Sequence, residues 1–498
     1  MSDDAPRSHR ANKQRATATF RHSMLLTVAS AIIPGSGLIA GRRRVVGGIF
    51  LALGLAVIGF GIWAATAGQT SVLHWAVEPG ALVWIAVGII AVGLLWLSSM
   101  VTTQISTAPH PLRASQRIAG VTLVGVLGFA VMAPMVVAAQ YAGTTRDLVN
   151  TVFASNTARS ATVDPNQVTA ADPWQGKDRV NILLLGGDGG ADRTGVRTDT
   201  MILASIDTHT GNTVLLSLPR NLMRVPLPPG TALSKAYGGT FYGPGTEGNW
   251  MLNAMYLEVP QNHPDIFNNS DHPAADIMKV TIGYVLGVKV DYFALVNLAG
   301  FRKLVDALGG ITVNINYPIP VGGDTDANIP PERYLQPGEN VHLNGGDALW
   351  YARGRYHVVG GDYARMDRQR CFISAVVSQA DPARVLTRYK ELAATSKEIV
   401  STDIPSTLLP ALVDLAIKIK GAKVTSAVFD SSVTYYSHPD YPKIKRLAQA
   451  AIAKSQATKS TTKTGTATTK APSTATPEPG TATDVKDACA YNPNPALN

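Results

Sequence analysis

The sequence predicts a helical membrane anchor followed by an α/β domain, on three observations. Apolar runs at 45–67, 81–101 and 118–138 contain no Asp, Glu, Lys or Arg, and each matches the roughly 20 residues a helix needs to cross a bilayer. From residue 179 onward, strand-like apolar runs alternate with helical stretches, the pattern of an α/β domain. The first of these runs leads into a glycine-rich loop that holds Asp188, Asp192, Arg193, Arg197 and Asp199, just past a strand end, where open sheets gather ligand-binding side chains.

The 498 residues leave room for about three domain-sized units. A net charge of +9 suits nucleic acid, anionic lipid or a phosphate-bearing substrate without choosing between them. Residues 1–22 form a basic tail and 23–141 a membrane region. Arg7, Arg10, Lys13, Arg15, Arg21 and Arg42, Arg43, Arg44 precede the first strong span; loop 69–80 has no Lys or Arg; loop 102–117 carries Arg113 and Arg117 and no acid. Basic loops stay cytoplasmic, so three spans, with 24–40 re-entrant or interfacial, place everything after 138 outside. Counting 24–40, broken by Pro34, Gly35 and Gly37, as a fourth span would put the Arg42–44 triplet outside. The expectation is a multi-pass protein of the cell membrane whose hydrophobic start is too long and repeated for a cleaved signal.

Residues 142–178 read as a polar linker, and 179–454 as one domain. Its expected strands are 180–185, 201–206, 214–218, 288–296, 311–315 and 423–429; its helices are 275–286, 301–308, 408–419 and 442–454. Gly309 and Gly310 stop the second helix. The Gly-, Pro- and Asn-rich stretch 226–273, with Tyr237, Phe241, Tyr242 and Trp250, reads as a lid. Residues 455–498, rich in Thr, Ala, Lys and Pro at first, read as a disordered tail. Cys371 and Cys489 are the only cysteines; an external domain allows a disulfide between them, the alternative being a buried Cys371 and a free Cys489.

The charged loop at 188–199 suggests a metal-assisted phosphate site, or else a solvated loop whose charges pair with each other. A second cluster supports the first reading. Residues 347–355 end in Arg353 and Arg355, which share a face on an extended chain. A short loop then leads to Asp362 and a helix with Arg365, Arg368 and Gln369 at i, i+3 and i+4. Guanidinium groups bind phosphate bidentately, as Lys cannot; the alternative is a solvated helix face beside a basic strand end. Nucleotide loops, H-E-x-x-H and G-x-S-x-G are absent from the sequence, and two distant cysteines do not close a zinc site.

Taken in order, NILLLGGDGG, RTDTMILASID, LSLPRN, LNAMY, VDALGGITVNI, HLNGGDALWYARGR and GDYARMDRQR resemble the LytR-CpsA-Psr family over about 179–385. The resemblance implies an α/β/α domain with a mixed central sheet and an apolar pocket for a lipid tail. It implies an enzyme that transfers a glycopolymer from a polyprenyl-pyrophosphate carrier to peptidoglycan outside the membrane. By that resemblance Asp188 and Asp199 match acids that bind Mg²⁺. Arg197, Arg220, Arg353, Arg355, Arg365 and Gln369 match the pyrophosphate surroundings, and Asp362 stands where the acceptor hydroxyl is oriented or deprotonated. Two features depart from the family: Asn221 replaces a frequent Asp, removing one acidic partner of Arg220, and three spans replace the usual one. The Thr- and Pro-rich tail suits an actinobacterial member, whose polymer would be arabinogalactan. Expected partners are the lipid-linked glycan, peptidoglycan and membrane lipid, and not nucleic acid. The alternative of a different class is a non-catalytic, membrane-anchored protein that binds lipid pyrophosphate or wall polymer.

Overall fold

The computed structural model describes residues 5–493 apart from 42, 110, 156–157, 165–166, 170, 189–196, 325–326, 380–399 and 458–478, with backbone only for 5–18. The chain divides into two compact units, Met1–Asp147 and Leu148–Asn498. Asp192 and Arg193 of the charged loop lie outside the described residues.

The first unit is helical: α1 (Ala5–Ile32), α2 (Ser36–Ala40), α3 (Arg44–Ala65), α4 (Gln69–Val77), α5 (Pro79–Thr107) and α6 (Ala114–Val152), the last running on into the second unit. Among the described residues three helices, α3, α5 and α6, are long and apolar enough to cross a membrane. Segment 24–40 is a helix, a break and a short helix. On α1, Ser23 pairs with Thr107, Thr27 with Gln104 and Ser30 with Thr103 of α5, at 2.7–2.9 Å. The break needs glycine: Gly35 has φ +86°, and a Cβ there would lie 2.2 Å from the Gly47 carbonyl oxygen.

In the second unit, β1 (Arg179–Gly187), β2 (Thr198–Asp207) and β3 (Thr213–Ser217) form an antiparallel core. On one side β6 (Tyr292–Asn297) pairs parallel to β1, and β11 (Val400–Thr402) pairs antiparallel to β6. On the other, β12 (Val424–Val428) pairs parallel to β3 and β13 (Thr483–Asp484) antiparallel to β12. The seven-stranded sheet is therefore mixed, in the order β11-β6-β1-β2-β3-β12-β13. Successive residues of β1 serve opposite faces. Leu183 and Leu185 join a core with α9 (Pro273–Leu286) and α14 (Tyr441–Ala457), while Ile182 and Leu184 pack in one with α13 (Leu409–Gly421).

A smaller cluster holds α10 (Leu298–Leu308), β7 (Ile311–Ile315), β8 (Ile319–Val321), β9 (Arg333–Leu335), β10 (Gly338–Leu343), α11 (Gly345–Arg353) and α12 (Gly361–Gln379). Here β7 pairs with β10 and stays out of the main sheet.

Three expectations change. Stretch 226–273 is not an unpacked lid. It folds into β4 (Val225–Pro226), α7 (Ala232–Ala236), β5 (Thr240–Phe241) and α8 (Met255–Asn262), and Leu233, Phe241, Leu252, Met255 and Val259 enter the main core. Of the expected linker 142–178, residues from Leu148 on belong to the second unit: α6 extends to Val152, and Val163 and Val168 are buried. Its polar side chains meet a buried charge. Lys279 on α9 is fully buried, 2.7 Å from Asp276, paired with Asp403, and donates to Ser160 Oγ and Thr162 Oγ1, each at 2.8 Å. Asp276 accepts from Ala161 N and Asp403 from Phe293 N, each at 2.8 Å.

The expected disordered tail at 455–498 also fails in part. Residues 479–493 carry β13 and α15 (Val485–Ala488), and a disulfide joins Cys489 to Cys371 of α12. Asn314 donates to the Cys489 carbonyl at 3.0 Å, fastening the same segment to β7.

Candidate active site

A β-bulge sets the centre of the site. Gly186 pairs with Thr200 and Gly187 with Thr198, so Asp199 has no ladder partner. Bulges re-aim side chains, and the Asp199 carboxylate meets Arg220 Nη1 at 2.6 Å. Arg220 follows β3 at Pro219, and its carbonyl accepts from Asn253 N at 3.0 Å. Its Nε donates to Asp362 Oδ2 at 2.9 Å. Asp362 lies in the first turn of α12, where the helix dipole favours a carboxylate. Arg365 Nη1 stands 3.4 Å and Arg355 Nη1 3.9 Å from Asp362, and Arg365 also donates to the Asp199 carbonyl at 3.3 Å. Four chain segments thus bring Asp199, Arg220, Arg355, Asp362 and Arg365 together.

Burial opposes charge on both acids, yet Arg220 and Arg365 beside Asp199, and Arg365 and Arg220 beside Asp362, outweigh it and hold both carboxyls below the usual range. Burial lowers Arg220 too, but its two carboxylate partners hold it above the ordinary guanidinium value. Burial pulls Arg365 down to about 10, against the opposing pull of Asp362.

The expected extended chain at 347–355 is instead α11, capped where Asn344 Oδ1 accepts from Asp347 N at 2.9 Å. Arg353 ends the helix and lies close enough to Asp199 to lower its carboxyl. Gly354 turns the chain, its N donating to the Trp350 carbonyl at 2.7 Å, and Arg355 follows. Arg353 and Arg355 therefore reach the site across a helix end, not along one face of a strand.

Arg368 is not part of a cationic patch. It is buried, donating to the carbonyls of Tyr351 (2.6 Å) and Gly354 and to the Tyr317 hydroxyl, which locks α12 to the end of α11. Gln369 is buried as well and donates to the Ala352 carbonyl at 3.3 Å. Asn221 does not leave Arg220 short of acids, since Asp199 and Asp362 supply two.

Arg197 points toward residues that carried no sequence signal: Nη2 lies 3.2 Å from Asn249 Oδ1 and 3.5 Å from Glu258 Oε1. Its backbone N donates to Asp188 Oδ1 at 2.8 Å. Asp188 and Asp199 thus end adjacent strands at the bulge. Among the described residues no three His, Cys, Asp or Glu converge. Two carboxylates fit Mg²⁺, which takes one or two from a protein and completes its shell with water and phosphate oxygens. Arg365 Nε, Thr198 Oγ1, Asn221 Oδ1 and Asn253 Oδ1 are buried without a hydrogen-bond partner. Such atoms are scarce in proteins, and these belong to the site residues or their immediate neighbours.

This is a mixed-sheet α/β domain with helices on both faces, carrying a site of alternating acids and arginines at its strand ends. The family model described as "LytR_cpsA_psr family" matches residues 146–458, and the chain belongs to that family. Biofilm regulatory protein A of Streptococcus mutans is 30% identical over 49% of this chain and 55% of its own length. The polyisoprenyl-teichoic acid–peptidoglycan teichoic acid transferase TagU of Enterococcus faecalis is 27% identical over 46% of this chain and 62% of its own. The chain therefore spans less than two thirds of these relatives. The crystal structure of Bacillus subtilis TagV is 24% identical with a TM-score of 0.37, covering 55% of this chain and 96% of that one.

Proposed function

We propose that the protein is a glycopolymer ligase acting on the outer face of the cell membrane, moving a glycan from a polyprenyl-pyrophosphate carrier to peptidoglycan through a phosphodiester. The observation that carries this reading is the placement of Arg220, Arg353, Arg355 and Arg365 around Asp199 and Asp362. Guanidinium forks hold pyrophosphate oxygens, and phosphoryl transfer needs positioning and charge stabilisation more than a protein nucleophile. Asp362 takes the acceptor hydroxyl proton; the acceptor oxygen bonds to the glycan-bearing phosphorus, and the bond from that phosphorus to polyprenyl phosphate breaks. Asp188 and Asp199 would hold Mg²⁺, which when bound neutralises charge on the pyrophosphate. Arg197 and Gln369 position the site, through Asp188 and through Ala352.

The test is transfer from a lipid-pyrophosphate glycan to a peptidoglycan fragment by the full-length protein, with teichoic acid and arabinogalactan donors as separate arms. Arg353→Ala or Arg355→Ala should each lower kcat about 10²-fold, the scale for losing one preorganised donor, with thermal unfolding unchanged. Lys should restore only part, having charge without the fork. Asp199→Asn should also weaken Mg²⁺ binding measured by calorimetry, whereas Arg113→Ala should leave transfer intact. Tight binding of the lipid without transfer or release of polyprenyl phosphate would select a binding protein instead.

The membrane topology is checked separately. A reporter fused after residue 150 should read as external and one near residue 110 as cytoplasmic; external signals at both points would overturn the three-span arrangement.

A further inference from the structure

The loop from α11 to α12 also builds a second surface. Tyr356 and His357 of this loop, with Tyr317, Tyr334 and Gln336, wall a cleft of about 400 Å³, a size typical of small-ligand sites. The cleft is built into the fold. The Tyr317 hydroxyl accepts from buried Arg368, whose Cζ lies 5.6 Å from the ring centroid. Tyr334 stands opposite Pro320 on the β8–β9 pair and is 43% exposed. His357 has φ +52°, a conformation that non-glycine residues rarely adopt and that gathers at functional sites. Two turns hold it there, Val358 N to Arg355 O at 3.1 Å and Gly361 N to Val358 O at 3.0 Å. The Tyr356 and His357 rings pack edge to face, 4.3 Å between centroids.

The lining chemistry selects a ligand. Among the described residues no Lys, Arg, Asp or Glu lines the cleft, so it is not a phosphate site. Flat aromatic faces with hydroxyl and amide rims suit a ligand that is apolar on one face and hydrogen-bonding at its edge, and a sugar ring has that form. Tyr317 and Val359 also line an adjoining cavity of about 380 Å³ with Asn316, Tyr363, Asp367 and Arg370. Tyr363, Asp367 and Arg370 recur at i, i+4 and i+7 on the side of α12 away from Arg365. The combined groove therefore runs along the loop between Arg355 and Asp362, where Tyr356, His357, Gly360 and Tyr363 line it, on the side of α12 away from Arg365, and it exceeds one ring in extent.

We propose that this groove is a saccharide subsite that seats the acceptor glycan strand, with Tyr334 and Tyr356 as its stacking faces; the assignment rests on the ligase reading above. The test uses full-length protein, a soluble tetrasaccharide of β-1,4-linked N-acetylglucosamine as the binding probe, and the transfer assay. Tyr334→Ala and Tyr356→Ala should each weaken tetrasaccharide binding and raise the acceptor KM about tenfold, the loss of one aromatic anchor. The KM for the lipid donor and kcat at saturating acceptor should stay put, and Tyr→Phe should restore binding. No tetrasaccharide binding by the wild type, or equal binding by both alanine variants, overturns the subsite. A rise in the donor KM alone overturns its assignment to the acceptor. Binding lost in the variants, with no transfer by the wild type under any condition, supports the subsite and sinks the ligase reading.

Discussion

Arg220→Ala is expected to lower transfer by about 10²–10³-fold, the range for removing one preorganised donor. Arg220 bonds the carboxylates of both Asp199 and Asp362, so its loss removes a phosphate fork and leaves two half-buried carboxylates with less countercharge. Arg220→Lys should recover little, because one ammonium cannot replace two diverging N–H donors. The same change alters the acid limb of stability. A carboxyl whose native pKa is depressed contributes stability that is complete above its unfolded value, about 4, and is lost as pH falls through the native value. Without Arg220 the native values of Asp199 and Asp362 rise toward normal, so that contribution shrinks and acid unfolding begins at higher pH. Initial rates and urea midpoints between pH 3 and 7, values chosen to bracket the carboxylate range, check both. Transfer within tenfold of wild type would mean that Arg220 only orders the acids.

Lys279→Met should cost about 3–5 kcal/mol, the scale for stranding a buried charge by deleting its partner. Asp276 and Asp403 are almost wholly buried, and Lys279 is the cation between them. The loss should extend beyond α9, because Ser160 and Thr162 bond to the same ammonium. Protease cleavage within 154–163 should therefore accelerate along with the fall in the urea midpoint. Asp403→Asn in the Lys279→Met background should recover part of the loss by removing one stranded charge. A single-variant loss below about 1 kcal/mol would show that water or rearrangement satisfies the acids.

The sheet was legible because β1, β2 and β3 are buried on both faces and so read as continuous apolar runs. Helix α9 and the glycine stop of α10 were legible from periodicity and local conformation, and the site arginines from their density. What stayed hidden depends on distant partners. Ser160 and Thr162 look like linker residues until Lys279, more than a hundred positions away, is placed beside them. The Asp199 bulge is a register event with no composition of its own. Arg368 has the spacing of a ligand-facing residue, and only the carbonyls at the end of α11 show that it faces inward. In the tail, a two-residue strand and a four-residue helix leave too short a pattern to read against a Thr- and Pro-rich background.

The bond between Cys371 and Cys489 spans 118 positions and encloses β11, α13, β12, α14, β13 and α15 in one covalent ring. Its mechanical consequence concerns where load travels. A pull on the last residues reaches α12 through sulfur before it strains the two ladder positions that hold β13 to β12. The edge strand is thus shielded from being peeled away, and tension arriving at the chain end is delivered to the buried helix that Arg368 bolts to α11.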